Sequence, residues 1–261
     1  MTAYVTIGDI MYYEKNNIKI YYEIYGKENK KEIIILPGWG NTRLTFTKMI
    51  EKLQKDYKIY ILDYPGFGSS PFPNKDLNIY DYANIIKEFI KDNLKVKPSL
   101  ICHSFGGRIA IILKGLYKVP IDKLILIDIA GIRRKSIKRT LRVLIYKLRK
   151  KLVYLKKNKV KYLINLRKKY SSNDYNNLQK NMYITFKNIV NENLKKYIKN
   201  INSKTLILWG EKDMDTPLKD GYYLKRKIKD SKLITYKEGN HFVYITEKDV
   251  TNKILNFIKK V

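Results

Sequence analysis

Short apolar runs recur along the chain at residues 33–36 (Ile-Ile-Ile-Leu), 59–62, 100–102, 124–129, 206–209 and 233–236. Most lack the alternation of a strand with one wet face, so they predict central strands of a parallel sheet covered on both sides. Two earlier segments, 11–14 and 18–25, are rich in Ile and Tyr and flank Asn16-Asn17, a pair suited to a tight hairpin turn. Between the runs the spacing turns helical. Ile79, Ala83, Ile86 and Ile90 share one face, as do Ile109, Ile112, Leu113 and Leu116, and residues 250–258 form a final helix. Repeated alternation of strand and helix predicts an α/β fold, a mostly parallel central sheet with helices on both faces.

Residues 131–200 break the rhythm. Ile137, Leu141, Leu144, Ile145, Leu148, Leu152 and Leu155 fall on one helical face, with Lys and Arg filling the gaps. Ser171-Ser172-Asn173-Asp174 reads as a helix start, ahead of Leu178, Met182, Thr185, Phe186 and Ile189. No strand pattern returns before Thr205. The organisation expected is a core of residues 1–130 and 201–261, interrupted by an all-helical insertion over 131–200.

Composition narrows the classes. A chain of 261 residues with 44% hydrophobic and 30% charged positions is globular and long enough for a sizeable core. A single cysteine, Cys102, excludes an internal disulfide framework; with only His103 and His241 beside it, no metal site is expected. No apolar run approaches the roughly 20 residues of a bilayer span, and the first ten residues lack the pattern of a secretory leader. A cytoplasmic protein is expected.

The net charge of +30 comes mostly from lysine: 45 Lys against nine Arg, alongside 22 Asn, 23 Tyr and only four Ala. That is the bias of an AT-rich coding sequence, so part of the charge reads as drift on a solvated surface. Residues 131–200, however, hold 22 basic side chains against two acids, Asp174 and Glu192, a net of +20. The other 191 residues hold 32 basic and 22 acidic, a net of +10.

The strongest chemical signal is Cys102-His103-Ser104-Phe105-Gly106-Gly107, directly after a predicted strand and before a helix. Small residue, any residue, Ser, any residue, Gly is the nucleophile-elbow spacing, which lifts a serine hydroxyl clear of the sheet on a strained turn. The two flanking positions must be small because strand and helix backbones approach closely there. Such a hydroxyl needs a general base. His103 is locked beside Ser104 in the turn, so its ring should serve local packing. His241 follows the last strand and can emerge at the same sheet edge as Ser104, with an ordinary pKa of about 6.5 that suits a proton shuttle.

Around that serine the chain resembles the α/β-hydrolase fold superfamily, in its serine-nucleophile branch. Leu36-Pro37-Gly38-Trp39-Gly40 is similar to the family's oxyanion loop, with Pro-Gly where His-Gly is frequent. Residues 63–70 (Asp-Tyr-Pro-Gly-Phe-Gly-Ser-Ser) resemble its D-x-P-G-x-G-x-S loop. Leu208-Trp209-Gly210-Glu211-Lys212-Asp213 resembles the turn bearing the catalytic acid, and Glu238-Gly239-Asn240-His241-Phe242 the histidine loop. The resemblance covers nearly the whole chain and implies a catalytic triad of Ser104, Asp213 and His241, without a cofactor. The backbone N–H groups of Trp39 and Phe105 would form the oxyanion hole, and residues 131–200 would be a cap over the site.

Two further acids remain open for His241. Asp215 precedes Thr216-Pro217, which reads as a helix cap followed by proline at the first helical position, and Asp128 follows the preceding strand. The Trp39 and Phe105 side chains line an acyl pocket or serve plain packing, and Cys102 reads as a buried small residue. The cap's basic face is read as solvated, with Leu and Ile packed inward. Its alternatives are selection of anionic substrates and a weak contact with anionic membrane lipids.

The function expected is hydrolysis of a small to medium carboxylic ester or similar acyl compound. The alternatives are a carbon–carbon bond hydrolase on the same triad and a non-enzymatic anion-binding module using the cap. Charge alone also raises a nucleic-acid partner, but none is expected. Neither the substrate nor the oligomeric state can be read from the sequence.

Overall fold

Strand pairing fixes the architecture. In the computed structural model, which describes residues 9–133, 137–153, 159–170 and 178–260, eight strands form one sheet. They are β1 (Asp9–Lys15), β2 (Ile18–Tyr25), β3 (Glu32–Leu36), β4 (Lys58–Asp63), β5 (Ser99–His103), β6 (Lys123–Ile127), β7 (Lys204–Gly210) and β8 (Ser231–Tyr236). Their order across the sheet is β1-β2-β4-β3-β5-β6-β7-β8. The β1–β2 and β2–β4 pairs are antiparallel and every other pair is parallel. Asn16 and Asn17 join β1 to β2 with φ of 53° and 60°, the left-handed pair that a two-residue hairpin turn requires.

The continuous apolar runs are explained by burial on both faces. In β3, Ile34 and Leu36 join a core with α2 (Ile79–Asn93) and α3 (Phe105–Gly115). Ile33 and Ile35 join the opposite core with α1 (Thr47–Leu53) and the C-terminal helix. α2 begins on a capping box. Asn78 accepts from the Tyr80 and Asp81 amides, and Asp81 accepts from the Asn78 amide at 2.8 Å.

Between β6 and β7 the described elements are helical: α4 (Ile137–Val153), α5 (Lys159–Tyr170), a 3-10 turn (Lys180–Met182), α6 (Tyr183–Asn191) and α7 (Lys195–Ile198). The helix start expected at Ser171–Asp174, and Leu155, lie outside the described residues. α6 is fastened to the core. Buried Arg108 of α3 donates through Nη1 to the carbonyls of Ile189 (2.9 Å) and Glu192 (3.2 Å), and Thr185 Oγ1 accepts from the Leu77 amide.

α4 departs from the sequence expectation. Leu141, Leu144, Leu148 and Leu152 are 51–63% exposed instead of packed inward. The helix rests on α5 and buries Val153, with Ile145 and Tyr146 half-buried, so the leucines face away from that contact. The chain then closes with α8 (Lys219–Lys227), α9 (Val243–Thr246) and α10 (Val250–Lys259).

Candidate active site

Parallel strands deliver their C-terminal ends to one edge, and the loops that leave them converge there. Ser104 directly follows β5, Asp213 lies three residues past β7, and His241 five past β8. Ser104 has φ 45° and ψ −105°, a strained conformation held by its amide bonding to Ile127 O and its carbonyl accepting from the Ala130 and Gly107 amides. Gly106 is obligatory in this turn: a Cβ there would stand 2.1 Å from the Leu36 carbonyl oxygen. Gly210 does the same for the acid loop, since its Cβ would meet Asn240 O at 2.3 Å. The two loops bearing Asp213 and His241 therefore touch backbone to backbone.

The three side chains form one hydrogen-bonded line. His241 Nε2 lies 2.9 Å from Ser104 Oγ, and His241 Nδ1 lies 2.8 Å from Asp213 Oδ2. Asp213 is buried and accepts from four donors. The Asp215 and Thr216 amides reach Oδ1 at 2.7 and 2.8 Å; Thr216 Oγ1 and the His241 ring reach Oδ2. The carboxylate only accepts, so the ring proton sits on Nδ1 and Nε2 offers its lone pair to the serine.

The charges follow. Burial pushes the Asp213 carboxyl up, but the His241 hydrogen bond and charge and the Thr216 donors bring it below the ordinary value. Burial pushes His241 down, and the hydrogen bond and charge of Asp213 more than offset that, leaving it raised. Asp213, Asp215 and His241 place one ligand atom each within 4.8 Å of one another, a spacing open to a cation. The histidine-to-carboxylate bond and the backbone turn at Asp213 account for that closeness.

Asp215 is exposed and lines the mouth of the cavity instead of meeting the ring. Thr216-Pro217 does not start a helix: α8 begins at Lys219 behind Leu218. The threonine's hydroxyl donates to Asp213, and α8 starts without a side-chain cap. Asp128 is buried with φ 45°, and its Oδ1 accepts from the Gly210 amide at 2.8 Å, while Oδ2 makes no hydrogen bond of good geometry among the described residues. Burial foremost, with the charge of Asp213 adding, pushes its carboxyl up to about 7 despite the Gly210 bond.

His103 has a role that the sequence reading assigned only to packing. Fully buried, its Nε2 donates to the backbone carbonyl of His241 at 2.7 Å, and the two rings lie 4.9 Å apart. Burial, and then the neighbouring His241, hold it down to about 3, so it stays neutral. The signal that could have found it was a second histidine beside the elbow in a chain with only two.

A cavity of about 480 Å³ opens over Ser104 and His241, lined by Trp39, Gly66, Phe72, Met182 and Phe242 among others. Trp39 lines it and meets Phe67, Phe105 and Phe186 edge-on, whereas the Phe105 ring is buried beneath it against Tyr64 and Tyr82. Phe105 is the first residue of α3, so its N–H has no intrahelical partner. A larger cleft, about 680 Å³, lies at the opposite sheet edge among lysines including Lys31, Lys97 and Lys123 and holds neither histidine.

A profile of the alpha/beta hydrolase fold matches residues 31–248. The chain belongs to that family. Among its relatives, the AB hydrolase superfamily protein YisY of Bacillus subtilis is 26% identical over 246 residues, 86% of this chain and 90% of YisY. YugF of Bacillus subtilis, described as an uncharacterized hydrolase, is 31% identical over 108 residues, 40% of this chain and 39% of YugF. The matches span only 33–44% of the length of four curated relatives, YugF among them. An esterase from Exiguobacterium antarcticum superposes with a TM-score of 0.74 over 97% of this chain and 100% of its own, at 19% identity, a likeness of fold. Among the described residues of this alpha/beta hydrolase, no helix is long and apolar enough to cross a membrane.

Proposed function

We propose that the protein is a serine hydrolase that cleaves a small to medium carboxylic ester or similar acyl compound through an acyl-enzyme. The observation that carries this is the line Ser104–His241–Asp213, with bonds of 2.9 and 2.8 Å, on a strained strand-to-helix turn. His241 Nε2 takes the hydroxyl proton as Oγ attacks the acyl carbon, and Asp213 holds the imidazolium that forms. The Phe105 and Trp39 amides receive the oxyanion. His241 returns the proton to the leaving group, then draws one from water, which releases the acid and restores Ser104.

The cavity supports the substrate class: its aromatic and methionine walls suit an apolar acyl or alkyl group, and its volume suits a compact one. Met182, Leu178 and Gln179 reach it from the region between β6 and β7, which on this reading is a cap that shapes specificity. The test is a fluorophosphonate probe followed by a chain-length series of p-nitrophenyl esters. Stoichiometric labelling of Ser104, and a loss of about 10⁴–10⁶ in kcat on Ser104→Ala with an unchanged melting profile, are expected. Labelling elsewhere, or Ser104→Ala activity above a few percent, overturns the mechanism.

A further inference from the structure

α4 carries more apolar surface than is covered among the described residues. Val153 packs inward, with Ile145 and Tyr146 half-buried. On the other face Leu141, Leu144, Leu148 and Leu152 recur at steps of three and four residues. At about 100° per residue that places them in a stripe roughly 80° wide. Single exposed leucines are ordinary; four in register on one helix form a strip of the kind that marks a docking face. Lys147 and Lys151 border the stripe on one side and Arg149 on the other. α4 holds seven Lys or Arg and no acid, within a region of net +20.

Charge selects the occupant. A second copy of this chain would bring two segments of +20 together, which repel. A nucleic acid would reward the lysines and leave the leucines in water. An anionic bilayer rewards both, because the headgroups attract the basic flanks while the acyl boundary receives the leucines. We propose that α4 lies on the surface of an anionic lipid bilayer with Leu141, Leu144, Leu148 and Leu152 turned into it. This inference does not depend on the hydrolase chemistry.

The test is co-sedimentation of the full chain, near physiological salt, with vesicles of phosphatidylglycerol and phosphatidylcholine or of phosphatidylcholine alone. Expected is at least about tenfold stronger partitioning onto the anionic vesicles, roughly fivefold being set by each lysine near the surface. Leu144→Gln with Leu148→Gln should lower it at least about tenfold, and Lys147→Gln with Lys151→Gln should do the same. All four positions are solvent-facing, so melting curves and turnover of a soluble ester should match the parent protein. Unchanged binding by the leucine variant overturns the proposal in favour of lysine adsorption alone. Failure of the parent to bind anionic vesicles, or a concentration-dependent dimer that the leucine variant abolishes, also overturns it.

Discussion

Asp213→Asn exchanges one oxygen for nitrogen and removes one charge, and its surroundings dictate how the new amide sits. The Asp215 and Thr216 N–H groups, 2.7 and 2.8 Å away, donate to this position and need an acceptor there, so the asparagine carbonyl takes the Oδ1 position. Its NH₂ group then faces His241 Nδ1, where the carboxylate oxygen had been at 2.8 Å. Nδ1 must now accept, the ring proton moves to Nε2, and the Ser104 hydroxyl at 2.9 Å meets a donor where it needs a lone pair. The base is disabled without being displaced. We expect a loss of about 10⁴ in kcat, about 5.4 kcal/mol of activation free energy. Stability should fall by only about 1–3 kcal/mol, the cost of weakening a charged hydrogen bond. Asp215→Asn, at an exposed carboxylate, should cost less than about tenfold. The assay is the second-order rate of fluorophosphonate labelling together with kcat on a short p-nitrophenyl ester, with melting curves as the control for folding. If Asp213→Asn retained more than about a hundredth of the parent rate, or Asp215→Asn lost the more activity, the tautomer reasoning would be refuted.

Three further outcomes are expected. His103→Ala removes the donor to the His241 carbonyl and the ring beside the base. It should destabilise the protein by about 2–4 kcal/mol in denaturant melts and lower kcat by about 10–100-fold, far less than His241→Ala; equal losses would show that the base was misassigned. The raised pKa of His241 means that the ring stays protonated, and unable to take the serine proton, to a higher pH than usual. The kcat/KM profile should therefore fall as pH drops through a value above the ordinary 6.5 or so. Where it is ionised, above about 7, Asp128 adds to the charges that hold that value up. Asp128→Asn, which tolerates the left-handed backbone and keeps an acceptor for Gly210, should move the acid limb to lower pH; an unmoved limb would show that Asp128 does not act on the base.

What the sequence reveals is what local physics dictates. Ile33 to Leu36 is a strand buried on both faces because nothing polar interrupts it. Ser104 and Gly106 are legible because a strained turn with two backbones in contact admits few residues. Thr216-Pro217 misleads because the pair is a local helix-start signal, whereas α8 begins at Lys219 behind Leu218 and the threonine serves Asp213 instead. The bonds that His103 and Asp128 make are illegible for a different reason. Their partners, His241 and Gly210, lie 138 and 82 residues away, so only the folded sheet edge reveals them. The leucines of α4 carry a regular helical period, and a period shows that a face is apolar without showing whether anything covers it.

Arg108 splits the region between β6 and β7 into parts with different evolutionary freedom. Residues 178–192 are bolted by its guanidinium to the helix that begins beside Ser104, so an exchange there disturbs the pocket wall and the support of Ser104 together. α4 and α5 rest mainly on each other among the described residues. Neither helix supplies a lining residue of the cavity among the described residues, so the pair can be lengthened, recoloured in charge or replaced by a graft while the cavity keeps its shape. Selection on the outer helices and selection on what fits the pocket can then proceed as separate experiments on one chain.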